Sequence, residues 1–220
     1  MRRRNFIQLA LFSAAMAKLP QLVKPAAAAD AVNLTDKDRE TLAAIERYLN
    51  GITTVEGRFI QSSSNGSYAE GNIWIERPDK MRFEYDPPVP LLIIASDRTL
   101  ALYDKELKQI SQVPVWDTPL WFLFEDEIKL DDSLVLTKLE YGAGEVVIRI
   151  QEEQAEGNLS SVTLTFSEAP VALRKWEVVD SQGVIVQTGL VNPVYGTQMN
   201  PDLFDIALLD VYQFTQPGNN

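Results

Sequence analysis

From Thr53 to Asn192 apolar and polar residues mostly alternate one for one, the two-residue period of strands that bury a single face. In "GNIWIERPDKMRFEY", residues 71–85, Ile73 and Ile75 share a face with Arg77, while Trp74 and Glu76 take the other. Beyond Pro78 and Asp79, Met81, Phe83 and Tyr85 point one way and Arg82 and Glu84 the other. Charges confined to one side predict an antiparallel sheet with one greasy face. Further strand patterns occupy 53–63, 91–96, 99–104, 108–113, 134–141, 145–151, 161–166, 174–180 and 184–192. That makes ten or eleven strands joined by short turns, so the sheet should be an antiparallel meander. Upstream the period changes to that of a helix. Thr35 is an N-cap, Asp36, Asp38 and Glu40 suit the positive helix start, and Leu42, Ile45 and Leu49 fall on one face. Asn50-Gly51 supplies the stop.

Two features break the alternation. Arg77 closes a row of inward-pointing apolar residues, where a strand-end arginine could equally lay its stem on the sheet and send its head to water. "WDTPLWFLFEDE", residues 116–127, puts two tryptophans and two phenylalanines into nine residues behind a Thr-Pro helix start. The segment is too short to span a membrane. It predicts a short helix, either a connector filling one end of the sheet or a mobile apolar cover over a cavity.

The first 29 residues read differently. A basic start, a modest apolar run from Phe6 to Ala17 and small residues before Asp30 form a secretory signal with cleavage after Ala29, leaving one domain over 30–220. "RRNFIQ", residues 3–8, is similar to the twin-arginine export signal. Either export route places the mature chain in the periplasm or outside the cell. Loss of residues 1–29 lowers the 20 basic residues by five, to 15 against 31 acidic ones, a net charge of −16. Such a surface repels nucleic acid and anionic headgroups.

The chain has no cysteine and no histidine. Disulfides, thiol nucleophiles, lipid attachment at a cysteine, Ser-His-Asp triads and most zinc chemistry are excluded on that ground. Paired carboxylates survive as candidate chemistry, but "FEDE" at 124–127 and the acids at Asp131 sit beside apolar or turn segments without a partner motif. The composition points away from an enzyme, and no cofactor or metal is expected.

The residues resemble the LolA-type family of periplasmic outer-membrane lipoprotein carriers. The matching elements come in order: "GRFIQ" at 57–61, "GNIWIERPDKMRFEY" at 71–85, "PLLIIASDRTLALYDKELKQ" at 90–109, "DTPLWFLF" at 117–124, "VVDSQGVIVQTGLVNP" at 178–193 and "NPDLF" at 200–204. What the resemblance implies is a mainly β fold: an unclosed antiparallel half-barrel with an N-terminal helix and short helices as a lid over an apolar cavity. Cargo would be acylated lipoproteins, received from an inner-membrane releasing transporter and yielded to an outer-membrane acceptor or to the membrane itself, by a monomeric carrier.

By the same resemblance Arg77 is the residue that holds the lid shut through backbone carbonyls. The acyl-chain cavity is assigned to Phe59, Ile73, Ile75, Met81, Phe83 and Tyr85, and the lid to Leu42, Ile45, Leu49, Trp121, Phe122 and Phe124. Two departures stand out. Asp97-Arg98 replaces the family's Asp-Gly, which points to another turn type, and the stretch from Ile206 matches only loosely. A related half-barrel that senses lipoproteins or carries another envelope lipid would share the fold and cavity. A lipocalin-like binder would instead close its barrel without lid helices.

Overall fold

The computed structural model describes residues 32–130, 134–153, 159–179 and 183–209. Residues 1–29, which the sequence reads as an export signal, and those beyond 209 lie outside the described residues, as do Asp131 and residues 180–182.

Helix α1 (Asp36–Gly51) starts as its residues dictate. The Thr35 hydroxyl accepts from the Asp38 backbone N–H while the Asp38 carboxylate accepts from the Thr35 backbone N–H, a reciprocal pair that contributes about 1 kcal/mol. The expected glycine stop is not left-handed. The helix runs through Gly51 and ends where Ile52 turns extended and its N–H bonds the Leu49 carbonyl.

Eleven strands follow: β1 (Thr54–Ser63), β2 (Tyr68–Glu76), β3 (Lys80–Tyr85), β4 (Leu91–Ser96), β5 (Thr99–Asp104), β6 (Gln109–Pro114), β7 (Val135–Gly142), β8 (Glu145–Glu153), β9 (Leu159–Glu168), β10 (Val171–Val179) and β11 (Ile185–Tyr195). They form one antiparallel sheet in the order β6-β5-β4-β3-β2-β1-β11-β10-β9-β8-β7. Two meanders, β1–β6 and β7–β11, are thus joined where β1 pairs with β11. The edges β6 and β7 are not paired to each other, so the sheet curls without closing. Edge β6 is half polar and ends in proline, a sequence that discourages pairing with another chain.

The predicted parity holds. Phe59, Ile73, Phe83, Tyr85, Ile93, Ile148, Leu164, Phe166 and Trp176 all belong to one buried cluster on the concave face, together with Leu42, Ile45 and Leu49 of α1. Gly71 is required there. A Cβ at this position would lie 2.1 Å from the Glu84 carbonyl oxygen and 2.8 Å from the Phe59 ring, so its absence lets that ring lie against the sheet. Phe59 in turn meets Phe83 and Tyr85 edge-on, each with centroids 4.9 Å away.

The convex face carries a second, smaller cluster of Leu92, Ile94, Ala101 and Tyr103, covered by Leu209. Arg82 fixes the approach of this C-terminal stretch by donating to the Leu203 carbonyl at 3.0 Å.

Two expectations are corrected. The 116–127 segment is not one helix opened by Thr118-Pro119. It forms two single 3₁₀ turns, Val115–Asp117 and Trp121–Phe124, between which Thr118 folds back to donate its hydroxyl to the Val115 carbonyl at 2.7 Å. Pro119 lacks the N–H that a continuous helix would use. At the β4–β5 hairpin Asp97 and Arg98 both have positive φ, 49° and 61°. The two-residue turn expected of Asp-Gly is therefore kept, with Arg98 in the glycine's left-handed conformation.

Candidate functional site

Two elements lie over the concave face: α1, and the crossover from β6 to β7 that contains both 3₁₀ turns. From α1, Leu42, Ile45 and Leu49 are buried, each contributing roughly 1.5–3 kcal/mol relative to exposure. From the crossover, Phe122 is buried, while Trp121, Leu123 and Phe124 pack half-buried against the same cluster. Trp116, counted with them in the sequence, instead points out and is 60% exposed.

The crossover is held by polar bonds from both sides. Arg77 immediately follows β2 and its guanidinium donates to three carbonyls at the end of the second 3₁₀ turn: Glu125 at 2.8 Å, Asp126 at 3.3 Å and Leu123 at 3.4 Å. These carbonyls are among those a helix end leaves without intrahelical donors. Burial lowers the Arg77 pKa, against a smaller raising effect of the Asp126 carboxylate, and the group stays charged. The side chains of Glu125, Asp126 and Glu127, the acids of the "FEDE" run, are exposed.

From the other side α1 grips the same chain. Asn50 donates its amide to the Ile128 carbonyl and accepts from the Ile128 N–H, both at 2.8 Å, and Glu46 accepts from the Leu130 N–H at 2.6 Å. Asn50 therefore acts toward Ile128 as a strand residue would. The sequence marks Asn50 only as part of the helix stop and does not single out Glu46, because their partners lie 78 and 84 residues away.

Beneath these elements are two small, partly open cavities of about 60 and 90 Å³. Met81, Leu120, Phe124 and Trp176 belong to the walls of both, so the cavities adjoin under the second 3₁₀ turn. The second cavity lies toward the start of β1, between Val55, Ile75, Arg77 and the Tyr48 and Leu49 end of α1. The first extends toward the β1–β2 hairpin, past Phe83 and Tyr85 to Val178 and Val186.

Of the residues assigned to the cavity from the sequence, Ile75, Met81, Phe83 and Tyr85 line it. Phe59 and Ile73 do not. Both are fully buried in the core cluster and form packed floor rather than wall. Trp176 was missed, although its period-two relation to Val178 in "KWEVV" puts it on the inward face.

The first cavity is apolar except at Thr118, whose hydroxyl is spent on the Val115 carbonyl, and at one polar cluster. Gln61, Thr188 and Tyr85 are 7, 2 and 3% exposed. The Tyr85 hydroxyl donates to Gln61 Oε1 at 3.0 Å, and Gln61 Nε2 donates to Thr188 Oγ1 at 3.1 Å. Burial raises the Tyr85 pKa well above that of an ordinary phenol, a shift only partly offset by the bond to Gln61, so the phenol remains a donor. Among the described residues there is no group of three or more acidic side chains placed to hold a metal ion. No helix among them is long and apolar enough to cross a membrane.

Comparison with known proteins matches residues 50–207 to the family model described as outer membrane lipoprotein carrier protein LolA. A protein named outer-membrane lipoprotein carrier protein from Alkalilimnicola ehrlichii is 28% identical over 175 residues, covering 75% of this chain and 78% of that one. An uncharacterised protein of Rickettsia prowazekii is 25% identical over 147 residues, 67% of this chain and 68% of its own. A solved structure of a LolA superfamily protein from Nitrosomonas europaea aligns with 76% of this chain and 99% of its own at 9% identity, with a TM-score of 0.44.

Proposed function

The chain belongs to the LolA family of outer membrane lipoprotein carrier proteins, and from that premise we propose that it shields the acyl chains of lipoproteins in the adjoining cavities while they cross the periplasm. Cargo would come from an inner-membrane releasing transporter and pass to an outer-membrane acceptor or to the membrane. The observation that carries this reading is the combination of apolar walls with a cover held by polar bonds. Met81, Leu120, Phe124 and Trp176 can be parted from one another at the cost of packing, while Arg77 and Asn50 offer bonds that can be remade.

The energetics explain why a carrier is needed. Each buried methylene contributes about 0.8 kcal/mol, so acylated cargo has negligible free concentration in water. A shuttle must replace most of that burial without exceeding what the acceptor membrane offers. Arg77 suits this limit. Its bonds favour the closed, empty state by a few kcal/mol at most, which opposes loading slightly and favours release. The transfer needs no bond made or broken.

The test is to purify the protein from the periplasm in its native state and identify what accompanies it by mass spectrometry. Co-purifying acylated proteins are expected. A different lipid in their place would make the protein a carrier of that lipid.

A further inference from the structure

We propose that Gln61 and Thr188 form a binding point for a carbonyl oxygen of the cargo's acyl linkage, so that the chains are held by their polar end as well as by their tails. This rests on the carrier reading above and adds a polar contact to it.

The cluster has a fixed polarity. Tyr85 has one proton to give and donates it to Gln61 Oε1, which orients the amide with its nitrogen toward Thr188. One of the two Gln61 amide protons goes to Thr188 Oγ1. The second amide proton and the Thr188 hydroxyl proton find no acceptor among the described residues. A buried donor left unspent is costly, yet all three side chains line the first cavity. Two neutral donors side by side, with no cation near them, match an ester or amide carbonyl. A carboxylate would need a charged partner, and a bare hydrocarbon would leave both donors without acceptors.

The distances fit a chain laid along β1. From Gln61 to Val55, which lines the second cavity, there are six strand residues, or about 20 Å. A fatty acyl chain spans half of a 30 Å bilayer core, about 15 Å. A chain whose carbonyl sits at Gln61 therefore runs about three-quarters of the way to the level of Val55, Ile75 and Met81, where the two cavities adjoin. The polypeptide of the cargo would leave at the β1–β2 hairpin end.

The probes are three synthetic triacylated lipopeptides: the natural diester-amide, a version with both glyceryl esters replaced by ethers, and a version with the N-acyl amide replaced by an N-alkyl amine. Affinities are measured for the wild-type chain, Thr188→Val and Thr188→Ser. Wild type should bind one of the two altered lipopeptides about five- to tenfold more weakly than the natural one, the size of one lost hydrogen bond. Weakening by the ether version assigns the ester carbonyl, and weakening by the amine version the amide. Thr188→Val should lose the discrimination and Thr188→Ser restore it, a rescue that a loss of packing alone would not show. Equal affinity of the wild type for all three would overturn the binding point and leave the carrier reading intact. No binding of any lipopeptide would overturn both.

Discussion

Replacing Arg77 by leucine should slow release without preventing uptake. In the closed state the guanidinium makes one short bond, 2.8 Å to Glu125, and two longer ones, to Asp126 and Leu123. A hydrogen bond to a charged group contributes about 1.5–3 kcal/mol. Arg77 is only half-buried, and a leucine regains some contact with Ile75 and Met81 in the second cavity, so the lower part of that range applies. The closed state then loses about 1–2 kcal/mol, or about five- to thirtyfold in the balance between empty and loaded protein. The loaded state loses less, because acyl chains already hold the crossover away from the strand end. The assay is transfer of a radiolabelled lipoprotein from loaded carrier to outer-membrane vesicles, with the rate of loss followed in time. The leucine variant should load normally and release more slowly by that factor. Arg77→Lys should be intermediate, since an ammonium keeps the charge but not the planar fork. A leucine variant that releases at the wild-type rate would reduce Arg77 to a strand-end cation with its stem on the sheet.

Asn50→Ala removes both bonds to Ile128 and should cost about 1 kcal/mol of local stability, read as about fivefold faster amide hydrogen exchange at Ile128. Unchanged exchange would mean that α1 does not restrain the crossover. Gly71→Ala drives a methyl group into the Glu84 backbone and should cost about 3 kcal/mol in chemical denaturation; a loss under 1 kcal/mol would show that Phe59 and β3 can give way. Among the described residues, three carboxyl groups have lowered pKa values: Asp38 by the Thr35 backbone bond, Asp86 by its bond from Arg58, and Glu84 because its bonds from Lys105 and Arg82 outweigh the raising effect of burial. Each stabilises the fold above the ordinary carboxylate range, near pH 4, and loses that contribution as pH falls through its folded value, so the denaturation midpoint should drop below about pH 4 and drop less in Asp38→Asn.

Much of the fold is legible in the chain because strand pairing and burial are encoded locally. Period-two alternation gives the inward face of β2 and β3 directly, and Thr35 with Asp38 marks the helix start. The residues that close the site are harder to read, for a physical reason. Asn50 and Glu46 act on backbone groups of a distant irregular segment, and a backbone acceptor has no signature in the sequence. The crossover reads as one helix from its Thr118-Pro119 start. Pro119 and the Thr118 hydroxyl instead divide it into two turns, which sends Trp116 outward. Phe59 and Ile73 share parity with the cavity wall but are packed within the buried cluster, Phe59 against the Phe83 and Tyr85 rings. Parity fixes the face of a strand, while packing among its neighbours decides which part of that face stays open. Gln61 and Thr188 carry the inward parity too, and a polar residue there looks like an interruption until both meet Tyr85.

The central claim, that the two adjoining cavities receive acyl chains of lipoproteins, is tested most directly by photo-crosslinking in living cells. A benzophenone amino acid replaces Met81, which belongs to the walls of both cavities, or Trp74, which points to the opposite face of the sheet. Illumination followed by purification and mass spectrometry should give adducts with acylated lipoproteins from position 81 and none from position 74. Absence of lipoprotein adducts at position 81, or equal yields from the two positions, would contradict it.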